Sequence, residues 1–471
     1  MHYQTINPAT AELVQSFETI SDADLEAALS KAHAFYRNDW SNRTIAERTR
    51  VLAKAAEILT AKADEFARYI TLEMGKLRIA AQAEVRLTIG ILSYYAKNAE
   101  AFLQPKRFDG FPGAELVTRP LGVLLAIEPW NFPYYQAVRV VAPQLAAGNV
   151  VVLKHAESVP QCAQAFARLM EEAGAPQGAF TNIFASHDQV AKLIADPRIV
   201  GVSFTGSERA GSTIGELAGR NLKKVVMELG GSDALIVLED APLEHAVGSA
   251  LLGRIFNNGQ SCVSTKRVIV VGKERGEAFI NTFVEKLKAL KLGDPADATS
   301  QVGPVSSARA LDSLLVQIEQ AKAGGATILA GGRRADRRGF FLEPTVITNI
   351  DASNPIYCQE LFGPVASIYV VDNEEEAIHL ANDTPYGLGG SVFGADIEHA
   401  RSVAERIESG MVFVNQPTWT IAQLPFGGIK NSGFGRELSE LGIGEFVNHK
   451  LINLAPAGAP LFGPVELTST K

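Results

Sequence analysis

Leu121-Gly122-Val123-Leu124-Leu125-Ala126-Ile127 is a continuous apolar run that ends at Pro129. A strand with one wet face alternates polar and apolar residues, so a run without alternation predicts a strand buried on both faces, as in a parallel sheet. Similar runs recur at 150–153, 199–204 and 225–229, separated by helical patterns near 161–172, 188–194 and 209–218. Strand and helix in repeated alternation predict a doubly wound α/β sheet. Beyond a strand at 234–238 and a helix leading to Asn257, a second alternating region extends to about Gly435, with strands at 269–271, 368–371 and 411–414. Two α/β domains fit this length.

Upstream, Ser21-Asp22-Ala23-Asp24 resembles a helix start, and Leu25, Ala28, Leu29, Ala32, Phe35 and Tyr36 follow at helical spacing. Helical patterns continue to about Phe102. Between 104 and 120, Pro105, Gly110, Pro112 and Gly113 punctuate a polar stretch that reads as a protruding hairpin, serving either assembly or merely as a surface loop.

The chain has 471 residues, 46% hydrophobic and 20% charged, which is ample for a large core. A net charge of -8 opposes a general nucleic-acid or anionic-membrane surface while leaving room for a local cationic pocket. Cys162, Cys262 and Cys358 are an odd set without paired spacing, which argues for a reducing compartment. No CxxC or histidine-rich metal spacing occurs, so no metal is expected. The first residues lack a basic segment followed by an apolar core, and no apolar run approaches the roughly 20 residues of a membrane span. A cytoplasmic location is the expectation.

Four strand ends and one loop after a helix carry chemistry. Asn257-Asn258-Gly259-Gln260-Ser261-Cys262 closes a helical run on a thiol that is either a nucleophile or a small buried hydrophobe. Glu228, ahead of Leu229-Gly230-Gly231, is a strand-end acid whose partial burial would raise its pKa into general-base range. In Pro129-Trp130-Asn131-Phe132-Pro133 the Asn131 amide is a candidate oxyanion donor, although Asn is also an ordinary turn residue. Phe204-Thr205-Gly206-Ser207 places glycine between a strand and a helix, where free N–H groups favour an anion. Lys154-His155-Ala156-Glu157 offers a lysine for ribose or phosphate and a carboxylate for ribose hydroxyls, or simply a solvated charge pair.

In this order, and with Ile6-Asn7-Pro8-Ala9-Thr10 near the start and Pro425-Phe426-Gly427-Gly428-Ile429-Lys430-Asn431-Ser432-Gly433 near the end, the chain resembles the NAD(P)-dependent aldehyde dehydrogenase superfamily over essentially its whole length. The resemblance implies a Rossmann-type cofactor domain (1–99 and 121–230), an α/β catalytic domain (231–440) and oligomerisation segments (100–120 and 441–471) joining a homodimer or homotetramer. It implies Cys262 as nucleophile, Asn131 with the Cys262 N–H as oxyanion site, and Glu228 as the base for hydrolysis. It assigns the cofactor, NAD or NADP, to Trp130, Lys154, Glu157, Gly206, Ser207, Leu229, Glu360 and Phe362. Glu157 matches the NAD-preferring pattern, while His155, where many relatives have proline, leaves NADP use open.

Arg139 stands eight residues after Asn131, where members acting on succinic semialdehyde carry arginine, and a guanidinium binds a carboxylate bidentately. The implied substrate is therefore succinic semialdehyde, a carboxylate-bearing aldehyde, with Arg139, Phe132, Tyr135 and Phe426 as substrate residues and Trp419 beside them. Some such members carry a second arginine six residues before the nucleophile, where this chain has Phe256. Ser264 stands where others carry a redox-switch cysteine, so no disulfide switch is expected. Glutaric semialdehyde, glycolaldehyde or another small aldehyde is the rival substrate. A coenzyme-A-acylating relative is disfavoured by Glu228, and a catalytically silent binding protein by the intact Cys262, Glu228 and Asn131.

Overall fold

The computed structural model describes residues 2–458. The opening run forms the strand Val123–Glu128, buried at every position. At about 1.5–3 kcal/mol for each fully buried aliphatic side chain, it anchors the sheet by burial alone. Its neighbours make a six-stranded sheet in the order Gly433–Phe434, Lys224–Glu228, Ile199–Thr205, Val123–Glu128, Val150–His155, Phe180–Ile183. The pairings are parallel except for that of the Gly433–Phe434 edge.

From Val123–Glu128 the chain steps outward through Val150–His155 to Phe180–Ile183, then returns to the other side for Ile199–Thr205 and Lys224–Glu228. Strand order therefore reverses between Val123–Glu128 and Ile199–Thr205, which leaves a crevice outside their carboxyl ends. The turns after these strands carry Trp130-Asn131 on one side of the crevice and Gly206-Ser207 on the other.

The second sheet has seven strands in the order Thr327–Ala330, Thr345–Thr348, Val365–Val371, Arg267–Val271, Ala234–Val237, Gly389–Phe393, Met411–Val414. The hairpin expected at 104–120 is present as Lys106–Phe108 and Phe111–Pro120, and Val447–Asn453 joins it along its length, from Val447 opposite Pro120 to Asn453 opposite Ala114. Residues 459–471, the end of the expected carboxyl-terminal oligomerisation segment, lie outside the described residues. Among the described residues no helix is long and apolar enough to cross a membrane.

The two α/β regions are not separated cleanly at residue 230. Gly433–Phe434, from the segment assigned to the second domain, pairs antiparallel with Met227 and Glu228 and closes the edge of the first sheet. A two-residue strand has no periodicity to read, and its partner lies some two hundred positions away, so this pairing has no local signature.

Candidate active site

The nucleophile loop is held in an uncommon backbone shape. Leu243–Ile255 ends as a helix, and Asn257, Asn258 and Gly259 then take positive φ values of 56°, 54° and 74° in succession. Asparagine tolerates the left-handed region better than most residues, but each such position still costs on the order of 1–3 kcal/mol unless its surroundings fix it. The Asn257 amide donates to the carbonyls of Asn131 (3.0 Å) and Gln260 (2.9 Å). Asn258 donates to Pro304 O (3.0 Å) and accepts from the Gly303 N–H (2.7 Å). A side chain at Gly259 would collide with the carbonyl of Gly363.

Arg254, fully buried, donates to Gly259 O at 2.5 Å and Gly363 O at 2.6 Å, so one guanidinium ties this loop to the Glu360–Phe362 turn. These contacts repay the strain and fix where the thiol of Cys262 points.

That thiol opens onto a pocket walled by Phe132, Tyr135, Phe256, Trp419 and Phe426, with Ser261 and Thr420 among its polar groups. All the expected aromatic residues are there. Burial pushes the Cys262 thiol up to about 12, while the charges of Arg139 and Lys266 pull it back. The resting sulfur is thus a neutral thiol that needs positive charge, or loss of nearby negative charge, to ionise. Beside it, the Asn131 amide donates to Gln260 O at 3.2 Å, and Gln136 donates to Asn131 Oδ1 at 3.4 Å. An amide held on both sides is a preorganised donor.

Glu228 ends its strand buried, opposite Thr205 on one side and Gly433 on the other. Its carboxylate oxygens have no hydrogen-bond partner among the described residues. Burial first, then the charge of Glu437, hold its pKa well above the usual carboxylate range, against the opposing pull of Arg139. A carboxyl kept weakly acidic and unsolvated is suited to taking a proton from water.

Around the crevice the cofactor candidates converge. Ser207 caps Glu208–Arg220, its side chain accepting from the Ala210 N–H, and the helix terminus so placed at the crevice favours an anion. Gly211 lets that helix pack onto Leu229, and a Cβ on Gly230 would stand 2.6 Å from Glu360 Oε2. The Glu360 carboxylate accepts from the Gly231 N–H at 3.1 Å, and Trp130 and Phe362 meet edge-to-face at 5.7 Å. Lys154 pairs with Glu157 at 2.5 Å. A reversed strand order, an open helix terminus, backbone cleared by glycine and two acids at ribose-binding depth fit a dinucleotide.

One expectation needs correction. Arg139 does not reach the pocket. It is 1% exposed, its Nε lies 2.8 Å from Glu437 Oε2, it donates to Gln136 and to Tyr135 Oη (3.3 Å), and it packs between the rings of Tyr135 and Phe426. With Glu128, Glu228 and Glu437 all buried around it, the guanidinium is held inward by three carboxyl groups, and among the described residues no Lys or Arg lines the pocket. His155, the residue that leaves NADP use open, is buried. Its Nδ1 accepts from the Ala156 N–H, so Nε2 carries the proton and donates to Pro133 O at 2.8 Å, and burial holds the ring neutral with a pKa of about 4.

Residues 1–452 match the family model described as the aldehyde dehydrogenase family. The chain belongs to that family. An aldehyde dehydrogenase oxidises an aldehyde to the acid with a nicotinamide cofactor, and this one does so with NAD or NADP. Among its relatives, the succinate-semialdehyde dehydrogenase [NADP(+)] of Deinococcus radiodurans is 47% identical over 96% of this chain and 95% of its own. The succinate-semialdehyde dehydrogenase [NADP(+)] 1 of Mycobacterium tuberculosis is 44% identical over 97% of this chain and 100% of its own.

Of solved structures, the succinic semialdehyde dehydrogenase of Streptococcus pyogenes in complex with NADP+ superposes with a TM-score of 0.94 at 46% identity, covering 96% of this chain and 99% of that one. The betaine aldehyde dehydrogenase of Staphylococcus aureus in complex with NAD+ gives 0.92 at 35%, covering 98% and 93%.

Several residues that shape the dehydrogenase site were absent from the sequence expectations. Arg254 and Lys266 stitch the loops around Cys262 together. Glu84, ion-paired with Lys76, accepts the N–H groups of Tyr134 (2.9 Å) and Tyr135 (3.3 Å) at the start of helix Pro133–Ala147. The one signal available for Glu84 was an acid inside an otherwise apolar stripe, which is equally the mark of a solvated helix face.

Proposed function

We propose that this aldehyde dehydrogenase converts succinic semialdehyde to succinate through a thioester on Cys262. Near full-length identity to enzymes named for that substrate carries the reading. Cys262 adds to the aldehyde carbon as its thiolate, and Asn131 and the Cys262 N–H hold the oxyanion so formed. A nicotinamide held in the crevice would supply the hydride acceptor that the oxidation requires. Glu228 then takes a proton from water as it attacks the thioester, which frees the acid and returns the thiol. Lys154, Glu157, Gly206, Ser207, Leu229, Trp130, Glu360 and Phe362 would hold the cofactor. The substrate carboxylate would take hydrogen bonds from Ser261, Tyr135 and Thr420.

The apolar lining without a cation favours a second reading, a broader preference for small uncharged aldehydes. Initial rates with succinic semialdehyde and with a neutral aldehyde of equal length separate the two. The first reading expects at least about a tenfold advantage in kcat/KM for the semialdehyde, and equal values would establish the second.

For the cofactor, burial works against the charge of Glu157, but the charge and hydrogen bond of Lys154 hold its carboxyl below the usual range. We infer that Lys154 is free to turn from Glu157 to a 2′-phosphate, so that NADP serves at least as well as NAD. The same rates measured with both cofactors test this, and a strong NAD preference would refute it.

The third sheet exposes Phe108, Phe111 and Leu451 by 44%, 63% and 60%. We propose that a second copy covers it, giving a dimer or tetramer, and sedimentation equilibrium would show a monomer if that is wrong. The division into cofactor and catalytic domains, and a cytoplasmic location, are proposed on the same family basis.

A further inference from the structure

Lys266 lies directly behind the nucleophile loop and is 2% exposed. Its ammonium donates to the carbonyls of Ser261 (2.9 Å) and Cys262 (2.6 Å) and stands 3.0 Å from Glu360 Oε1. All three of its protons are thereby directed: two at the backbone that presents the thiol, one at a carboxylate of the cofactor wall. A buried charge is not retained cheaply, since removing one partner of a buried pair leaves the other uncompensated. An amide at this position would satisfy at most two of the three acceptors. The feature that a neutral donor would not supply is the charge itself.

The charged groups that bear on Cys262 are few. Arg139 and Lys266 favour its thiolate, Glu360 and Asp233 oppose it, and Tyr135 is a neutral neighbour. Arg139 is already surrounded by Glu128, Glu228 and Glu437. Lys266 faces Glu360 and Asp233, of which Asp233 is buried and accepts from the Gly389 N–H at 3.1 Å. The balance at the sulfur therefore sets Lys266 against these two carboxylates, of which Glu360 is the one in direct contact with the ammonium.

We propose that Lys266 is a positioning residue for Cys262, which fixes the nucleophile loop through two carbonyls and, in opposition to Glu360, sets how readily the thiol gives its proton to water in the pocket. The proposal rests on the reading of Cys262 as nucleophile. Removing the ammonium disfavours the thiolate, and removing the opposing carboxylate favours it. A residue with a merely structural role would not produce shifts of opposite sign.

The test is the rate of Cys262 alkylation by iodoacetamide across pH, followed by mass spectrometry of the intact enzyme without cofactor. Lys266→Gln is expected to raise the alkylation midpoint by about one unit or more, slowing labelling about tenfold below it. Glu360→Gln is expected to lower it, and Lys266→Arg to restore much of the wild-type profile. A folded Lys266→Gln enzyme with the wild-type profile overturns the proposal. Should Lys266→Gln not fold, Glu360→Gln decides alone, and an unchanged or raised midpoint overturns it. Failure of the underlying reading looks different: wild-type enzyme would stay active with Cys262 fully alkylated.

Discussion

Arg139 shows how a residue type can be read correctly and its task misplaced. An arginine near a nucleophile is suited to clamping a substrate carboxylate, and nothing local in the sequence places Glu128, Glu228 and Glu437 around it. In the structure these three buried carboxyl groups draw the guanidinium inward. Removing it would leave them closer to like-charge repulsion and raise the pKa of Glu228 further, since Arg139 is the first group that lowers it. Arg139→Leu is therefore expected to slow oxidation of charged and neutral aldehydes alike and to move the basic-side rise of the pH–rate profile to higher pH. Loss confined to the carboxylate-bearing aldehyde, with an unmoved profile, would restore the clamp. Cys262, Asn131 and Glu228 were legible as candidates because each closes a local pattern. Lys266 and Arg254 were not, because their meaning lies in carbonyls contributed by other loops.

Among elements, the helix Pro133–Ala147 links the site to the amino-terminal bundle. It carries Tyr135, Gln136 and Arg139, and no side chain of its own cap residue satisfies its first N–H groups. Glu84, from the long helix Arg78–Phe102, supplies the missing acceptor while neutralising Lys76. Glu84→Ala leaves Lys76 buried without its partner and the helix start open, so a loss of about 3–5 kcal/mol is expected, read as a lower urea midpoint. A midpoint within about 0.5 kcal/mol of wild type would show that the pair is dispensable. Phe180–Ile183, Thr327–Ala330, Thr345–Thr348 and Gly389–Phe393, short and broken by polar residues or glycine, went unread. The other eight long strands of the two sheets were readable as apolar runs, seven to within two residues and Val365–Val371 from three residues late. The Gly433–Phe434 edge was not, being two residues long and paired at great sequence distance.

At the scale of the whole molecule, the first sheet brings a cofactor crevice to its strand ends, and the second supplies the loop that carries Cys262. The Gly433–Phe434 strand and the hydrogen bonds of Asn131 with Asn257 and Gln260 bind one to the other, so the crevice and the nucleophile loop meet along a single seam. The central claim is that the aldehyde carbon becomes bonded to Cys262 and is released by Glu228. The most direct measurement mixes Glu228→Gln enzyme with succinic semialdehyde and NADP, follows reduced cofactor in the first turnover, and locates the added mass by peptide mapping. One reduced cofactor per site followed by a stall, with a succinyl group on Cys262, is the predicted result. Undiminished steady turnover, or an acyl group on any other residue, would contradict it.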